Sequence, residues 1–317
     1  MEKNTGKTET LNYVIRRLNQ LQKTIAVTSI GIDGETTDQV KFTHKPEIEL
    51  FENMLFVTSE RHYHERQLVS EIVDVSTRQT ALGRLVTGRV KMGGKIILSG
   101  PGNTIWLKKV IRQMEQHKVD ITLIDGALSR RSFGSPSVTE SMILTTGAAL
   151  SPNIAEVVRK TKFVHSLINL PQYHSSLQDS LLEIENGIWS IDKEQNLHNL
   201  HIPSTFLIDQ HKEKLSLYGN TLFISGAVSD KLLDTLRMQK NIADIVLIVK
   251  DFTRIFASAE SVTAFLRKGG KIEVLLKTKL IALCINPISP TGYVIDSDRL
   301  KRSLEENLNI PAYDVKR

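Results

Sequence analysis

The sequence contains a single cysteine, Cys284, among its 317 residues. One thiol excludes a disulfide within the chain and a metal centre built from several cysteines. Cys284 lies inside the apolar run LIALCI, and an unpaired cysteine in such a run is typically a small buried side chain. We therefore expect it to have a packing role rather than a chemical one.

Long apolar runs and blocks of like charge are also missing. No stretch approaches the roughly 18 to 20 apolar residues of a membrane span, and the first residues have no signal-peptide pattern. The net charge of +6 comes from 41 basic and 35 acidic residues scattered along the chain, a distribution that argues against nucleic-acid binding. The sequence predicts a cytoplasmic protein that binds neither membranes nor nucleic acid.

Apolar segments alternate with helical patterns, which predicts an α/β fold. Residues 24–30 have the β-branched and apolar composition of a strand buried on both faces. Residues 95–128 contain a strand, a glycine turn, a helix and a second strand, the order of a βαβ unit, and residues 216–258 repeat that order with ISG in place of LSG. We expect a P-loop NTPase-like, mostly parallel sheet with flanking helices in residues 1–170. A second α/β region in residues 171–317 would extend the same sheet or bind a partner.

The stretch MEKNTGKTET places Gly6, Lys7 and Thr8 at the start of a helical pattern. Gly-Lys-Thr ends the pattern G-x-x-x-x-G-K-[ST], in which backbone N–H groups hold phosphates, the lysine meets the outer phosphates and the hydroxyl binds Mg²⁺. The first glycine of that pattern falls on Met1, so the pattern is half matched and its preceding strand is missing. The predicted nucleotide-binding residues are Asn4, Thr5, Gly6, Lys7, Thr8 and Glu9. The alternative is an ordinary turn before a helix.

Two aspartates follow apolar segments and are candidates for catalysis and metal binding. Asp125 ends the run ITLID, as the acidic residue of the Walker B pattern does when it holds Mg²⁺ beside the hydroxyl of Thr8. Asp33 lies in IGIDGE, where it would bind Mg²⁺ or orient the attacking water. Each aspartate has a structural alternative, because an aspartate after a strand also stabilises a turn.

A loop rich in serine and threonine comes directly after Asp125. It contains Arg130 and Arg131, which we expect to contact phosphate or a partner, with simple solvent exposure as the alternative. The histidines of RHYHER, His62 and His64, have no cysteine or carboxylate at the spacing of metal ligands. We expect both to be solvated residues of a loop or a helix start.

Taken in order, GKT, IGIDGE, ILSGPGNT and LIDGALSRRSFGSPSVTESMILTTGA resemble the P-loop reactivating-factor subunit of adenosylcobalamin-dependent D-lysine 5,6-aminomutase. The resemblance is most distinctive over residues 125–147. It implies a chaperone-like ATPase of lysine fermentation that uses ATP or GTP with Mg²⁺ to release damaged cobalamin from the aminomutase. The aminomutase, and a second reactivase subunit, are the partners it implies. Gly6, Lys7 and Thr8 would carry phosphate and Mg²⁺, and Asp125 would take the Walker B place.

The missing first glycine leaves the hydrolase activity open. The chain is a nucleoside-triphosphate hydrolase if the loop is complete, whereas an incomplete loop indicates a degenerate nucleotide site. Two other functions agree with the sequence: a P-loop kinase or ligase for a small molecule, with the serine-rich loop as acceptor pocket, and a non-catalytic assembly protein with a vestigial loop. Binding of Mg-ATP separates the third function from the others.

Overall fold

The computed structural model describes residues 5–30, 47–126 and 138–317. The chain divides into two compact units, and neither is one continuous stretch of sequence. Unit 1 is formed by Met1–Phe133, Ile143–Val158 and Ala282–Arg317, and unit 2 by Gly134–Met142 and Arg159–Ile281. The last residues of the chain therefore belong to the same unit as the first.

Unit 1 is built around a six-stranded mixed sheet. Its strands are β1 (Ile25–Ser29), β2 (Ile48–Leu50), β3 (Leu55–Ser59), β4 (Gln67–Thr80), β5 (Gly83–Ile96) and β6 (Ile121–Asp125). The order is β2-β5-β3-β1-β6, with β4 paired to β5. β1 is parallel to both of its neighbours, β3 and β6, whereas β5 is antiparallel to β3. The pairings β3-β1 and β1-β6 are thus parallel, whereas β5 pairs antiparallel with β2, β3 and β4.

Helices pack on this sheet and bury β1 on both faces, as its composition predicts. The helices before residue 126 are α1 (Lys7–Gln20), α2 (Glu60–His64) and α3 (Thr104–Glu115). Val27 of β1 belongs to a hydrophobic cluster with Leu11 and Ile15 of α1. Ala26, which precedes Val27 and so points to the other face, belongs to a second cluster with Val110 of α3. Leu11 and Ile15, which are four residues apart and so share a helix face, form the buried face of α1.

Residues 67–96 form a hairpin, because β4 and β5 are antiparallel neighbours. The βαβ interpretation of residues 95–128 is wrong. The strand before α3 is β5, which is antiparallel to β3 and is separated from β6 by β3 and β1. Local patterns indicate a strand and a helix, but they do not indicate which strand becomes the neighbour.

The described residues after 137 form further strands and helices. The strands are β7 (Ser141–Gly147), β8 (Ile188–Ile191), β9 (Leu197–Asn199), β10 (Thr221–Ile224), β11 (Val246–Val249), β12 (Lys271–Val274), β13 (Lys279–Asn286) and β14 (Ala312–Asp314). The helices are α4 (Ile154–Ile168), α5 (Gln178–Glu183), α6 (Asp230–Arg237), α7 (Ala259–Arg267) and α8 (Ser297–Leu308).

Unit 2 contains a five-stranded sheet in the order β12-β11-β10-β8-β9. β10, α6 and β11 form the βαβ unit predicted within residues 216–258, because β10 and β11 are parallel neighbours joined by the helix. α7 joins β11 to the parallel β12 in the same way, and β8 runs antiparallel to β10. Phe223 and Ile248 are buried at the centre of this sheet. The chain is therefore a mixed α/β protein that includes a parallel sheet with flanking helices.

A third sheet has the order β14-β13-β7, with β13 parallel to β14. Cys284 on β13 is 2% exposed, as the apolar run around it predicts, and burial raises the pKa of its thiol to about 11. Asn286, the last residue of β13, lies against Gly6 in front of α1. The end of β13 in this third sheet therefore lies directly beside the start of α1.

Candidate functional site

α1 begins at a glycine with a backbone conformation that other residues rarely adopt. Gly6 has φ of +94°, in the left-handed region that favours glycine, and its carbonyl accepts a 2.8 Å hydrogen bond from the N–H of Thr10. A Cβ on Gly6 would lie 2.6 Å from Nδ2 of Asn286. Both the backbone conformation and the neighbouring strand therefore require a glycine at this position.

Lys7 is the first residue of α1 and is partly buried. Burial lowers the pKa of its ammonium group, and the carboxylate of Asp125 acts in the opposite direction. Asp125 is thus close enough to Lys7 for the two charges to interact, although the residues are far apart in sequence. The fold brings together two of the residues that the sequence predicts for one site.

The position of Asp125 follows from strand pairing. Asp125 ends β6 and is in register with Ser29, which ends β1, and its carbonyl accepts a 3.0 Å hydrogen bond from the N–H of Ile30. Because β3 is parallel to β1, its last residue, Ser59, lies at the same edge. We call this the carboxyl edge of unit 1, defined by Ser29, Ser59 and Asp125. Open α/β sheets bind ligands at such edges.

A buried network of hydroxyl groups lies beside the carboxyl edge, with Ser99 at its centre. The hydroxyl of Ser99 donates to Oγ of Ser59 at 2.8 Å and accepts from the N–H of Ser59 at 3.0 Å. The N–H of Ser99 donates to Oγ1 of Thr58 at 3.2 Å, and Nδ1 of His62 lies 3.0 Å from the Ser99 hydroxyl. Buried polar groups need such partners. The network fixes the segment around Ser99 to the end of β3 and to α2.

The sequence does not reveal this network, and the expectation that His62 is solvated is wrong. His62 is 7% exposed, because the short helix α2 carries it into contact with Ser99. His64, two residues later, is exposed as expected. The serine and glycine that follow the apolar run IIL are the signal that the sequence offers. They indicate a turn at the end of a strand but not the partners of the serine.

The segment after Ser99 approaches β1 very closely. A Cβ on Gly100 would lie 1.6 Å from the carbonyl oxygen of Ser29, so any larger residue would displace backbone. Three residues later, Asn103 caps α3 by accepting a 2.9 Å hydrogen bond from the N–H of Trp106. A second helix therefore begins close to the carboxyl edge.

Thr8 and Asp125 are the predicted Mg²⁺ ligands that the structure describes. A hydroxyl and a carboxylate are the hard oxygen ligands that Mg²⁺ takes, and Mg²⁺ commonly keeps several waters and binds substrate phosphates besides one or two carboxylates. Within residues 5–30, 47–126 and 138–317, no group of three or more His, Cys, Asp or Glu side chains is arranged to hold a metal ion. The hydroxyl of Thr8 and the carboxylate of Asp125 thus suit an Mg²⁺ ion that is also bound to the phosphates of a ligand.

Thr5 and Glu9 are two further predicted site residues that the structure describes. Thr5 is 1% exposed, and the carboxylate of Glu9 pairs with the ammonium group of Lys316 at 3.0 Å. The other predicted residues are Asn4, Asp33, Arg130 and Arg131, and all four lie outside the described residues. Their roles stay predictions.

Comparison of the chain with protein-family models, with curated proteins and with solved structures gives no match. The resemblance to the reactivating-factor family is therefore still a prediction from the sequence. In the described part of the chain, no helix has both the length and the apolar content that crossing a membrane requires.

Proposed function

We propose that unit 1 binds a nucleoside triphosphate with Mg²⁺ at its carboxyl edge. The observation that supports this most directly is the position of Lys7, an ammonium group that is partly buried at the start of a glycine-capped helix, with Asp125 acting on its charge. A helix start attracts anions, because its first N–H groups have no acceptor within the helix and carry the positive end of the helix dipole.

The proposal assigns a role to each described residue. Backbone N–H groups at the start of α1 bind phosphate oxygens, and the absence of a side chain on Gly6 allows Asn286 to pack against this helix start. Lys7 binds the outer phosphates, and Thr8 and Asp125 hold Mg²⁺. Before nucleotide binds, Asp125 compensates part of the Lys7 charge. Once phosphate supplies that compensation, Asp125 is available to the metal ion, directly or through water.

The P-loop NTPase fold and the reactivating function belong to the same proposal. The order of α1, β1 and β6 supports the fold, because the lysine and the aspartate then lie near the carboxyl ends of the parallel strands β1 and β6. The resemblance of GKT, IGIDGE, ILSGPGNT and residues 125–147 supports a reactivating factor that hydrolyses ATP or GTP to release damaged cofactor from an adenosylcobalamin-dependent aminomutase. Nucleotide has such an effect if it binds two states of the protein with different affinity.

Calorimetric titration with Mg-ATP tests the site. We expect Lys7→Ala to weaken binding by about 10- to 100-fold, because a hydrogen bond to a charged group contributes roughly 1.5–3 kcal/mol. Lys23→Ala is the matched control, since Lys23 is exposed just beyond the other end of α1. Equal affinity of the Lys7→Ala variant and the unmodified protein contradicts the proposal, and so does an unmodified protein that does not bind Mg-ATP.

The Asp125→Asn variant tests the contribution of Mg²⁺ to nucleotide binding separately from the contribution of the phosphates. We expect this variant to bind ATP equally well with and without Mg²⁺, whereas the unmodified protein binds more tightly with Mg²⁺.

For the reactivating function, phosphate release is measured with an adenosylcobalamin-dependent aminomutase present and no small acceptor. Stimulation supports a reactivating factor. Release that depends instead on a small-molecule acceptor indicates a kinase or ligase.

A further inference from the structure

A groove of about 510 Å³ lies along one side of α1 in unit 1. Glu9, Tyr13, Arg16 and Arg17 of the helix line one wall, at positions that share a helix face, and Lys316 and Arg317 are among the residues of the other wall. Small-molecule sites typically have volumes of roughly 300 to 1,000 Å³. The groove therefore has the size of a ligand site.

The charges of the groove are not balanced. Four of its lining side chains are cationic and one, Glu9, is anionic. Glu9 pairs with Lys316 at 3.0 Å, and Arg317 forms a two-contact pair with Asp298 whose shorter distance is 2.6 Å. Among the described residues, Arg16 and Arg17 have no carboxylate partner within salt-bridge distance. Two guanidinium groups are thus left for a ligand.

Arg17 is also held in position by an aromatic ring. Its guanidinium carbon lies 5.3 Å from the centre of the Tyr13 ring, within the range of a cation–π contact. A guanidinium that is already oriented loses less conformational freedom when it binds, and its planar donors match phosphate in a two-contact geometry. The arrangement favours a ligand with several phosphate oxygens over one with a single carboxylate.

We propose that this groove binds a small polyanion that carries linked phosphate groups. The site differs from the nucleotide site proposed at the carboxyl edge, because neither Lys7 nor Thr8 lines the groove. Of the predicted nucleotide-binding residues that the structure describes, Glu9 alone lines it. Arg16 and Arg17 contact the phosphates, and Lys316 exchanges its pairing with Glu9 for a phosphate oxygen. Glu9 thus competes with the ligand for Lys316.

Calorimetric titration with inorganic triphosphate, without Mg²⁺, tests the groove on the full chain carrying Lys7→Ala, which weakens the other phosphate site. We expect Arg16→Ala with Arg17→Ala to weaken binding at least 10-fold. The matched control is Lys109→Ala with Arg112→Ala, which removes the same charge from exposed positions on α3 and should change affinity less than 2-fold. Thermal melting of each variant checks that it is folded.

Glu9→Gln gives an opposite expectation, a gain in triphosphate affinity of about 3-fold or more, because Lys316 no longer has a competing carboxylate. Equal losses in the two double variants would assign binding to overall charge and overturn the proposal. Citrate that binds as tightly as triphosphate overturns the preference for phosphate. Triphosphate that binds the unmodified chain but not the Lys7→Ala chain belongs to the α1 start, which overturns the groove and leaves the nucleotide proposal standing.

Discussion

Two short stretches of nearly identical sequence, LSG at residues 98–100 and ISG at residues 224–226, have different surroundings in the two units. In unit 1, Ser99 contacts Thr58, Ser59 and His62, and Gly100 lies against the backbone of β1. In unit 2, the hydroxyl of Ser225 donates a 2.9 Å hydrogen bond to the carbonyl of Gly187. A Cβ on Gly226 would meet no heavy atom within 4 Å.

One lysine in each unit, Lys7 in unit 1 and Lys250 in unit 2, shows a similar difference in surroundings. Lys7 is partly buried at a helix start, where Asp125 acts on its charge. Lys250, directly after β11, donates a 2.7 Å hydrogen bond to the carbonyl of Leu182 in the last turn of α5, a position at which cations stabilise helices. Burial lowers the pKa of both lysines. Lys250 thus has a structural role in unit 2, whereas the environment of Lys7 suits an anionic ligand.

The largest effect that tests this contrast is expected from the two glycines. Gly100→Ala should lower the free energy of unfolding of unit 1 by about 3 kcal/mol or more, because the new Cβ displaces backbone. Gly226→Ala should change the stability of unit 2 by less than about 0.5 kcal/mol. Urea unfolding followed by fluorescence measures both, since the two tryptophans, Trp106 and Trp189, fall in different units.

Replacing one tryptophan by phenylalanine in each background assigns the signal to one unit. Gly102→Ala is a control within the same loop, because its Cβ also meets nothing within 4 Å, and we expect no loss there. Equal stability changes for Gly100→Ala and Gly226→Ala would remove the distinction between the two environments.

A smaller difference is expected from the two serines. Ser99→Ala removes the buried hydroxyl that contacts both Ser59 and His62, and we expect unit 1 to lose about 2–3 kcal/mol. Ser225→Ala removes a single hydrogen bond, and we expect unit 2 to lose about 1 kcal/mol. The same tryptophan-assigned urea curves provide the measurement. A Ser225→Ala loss as large as the Ser99→Ala loss would show that the unit 1 network contributes no more than one ordinary hydrogen bond.

The smallest effects are expected from the two lysines, and they differ in sign. Lys7→Met should leave unit 1 at least as stable near neutral pH, because it removes a charge that burial disfavours. Lys250→Met should destabilise unit 2 by about 1 kcal/mol, because the Leu182 carbonyl loses its donor. Thermal and urea unfolding at a series of pH values measure both variants.

The pH dependence checks the cause of the Lys7 effect. The pKa of Lys7 is lowered in the folded state, so between that pKa and the unfolded value near 10.4 the unfolded chain binds more protons. This group therefore makes stability rise with pH in that window. The advantage of Lys7→Met should shrink as pH rises through it, and a constant advantage would rule out charge burial as the cause.

The local elements were largely predictable, but their partners were not. The spacing of Leu11 and Ile15 predicts the buried face of α1, and the composition of residues 24–30 predicts a strand buried on both faces. The pattern in residues 95–128 predicts a strand and a helix correctly, yet the inferred parallel pairing is wrong. Periodicity reports which face of an element is apolar, and it contains no information on which distant strand supplies the neighbour.

Sequence by itself determined the candidate residues Gly6, Lys7 and Asp125, because a glycine before a helix and an acid after an apolar run are local patterns. Only the tertiary structure decided that Lys7 and Asp125 influence each other, since the parallel pairing of β1 with β6 sets the position of Asp125. It also decided that Ser99 and His62 are buried partners, whereas the hydroxyl of Ser225 donates to the carbonyl of Gly187. Such differences depend on long-range packing, which gives two nearly identical tripeptides different environments.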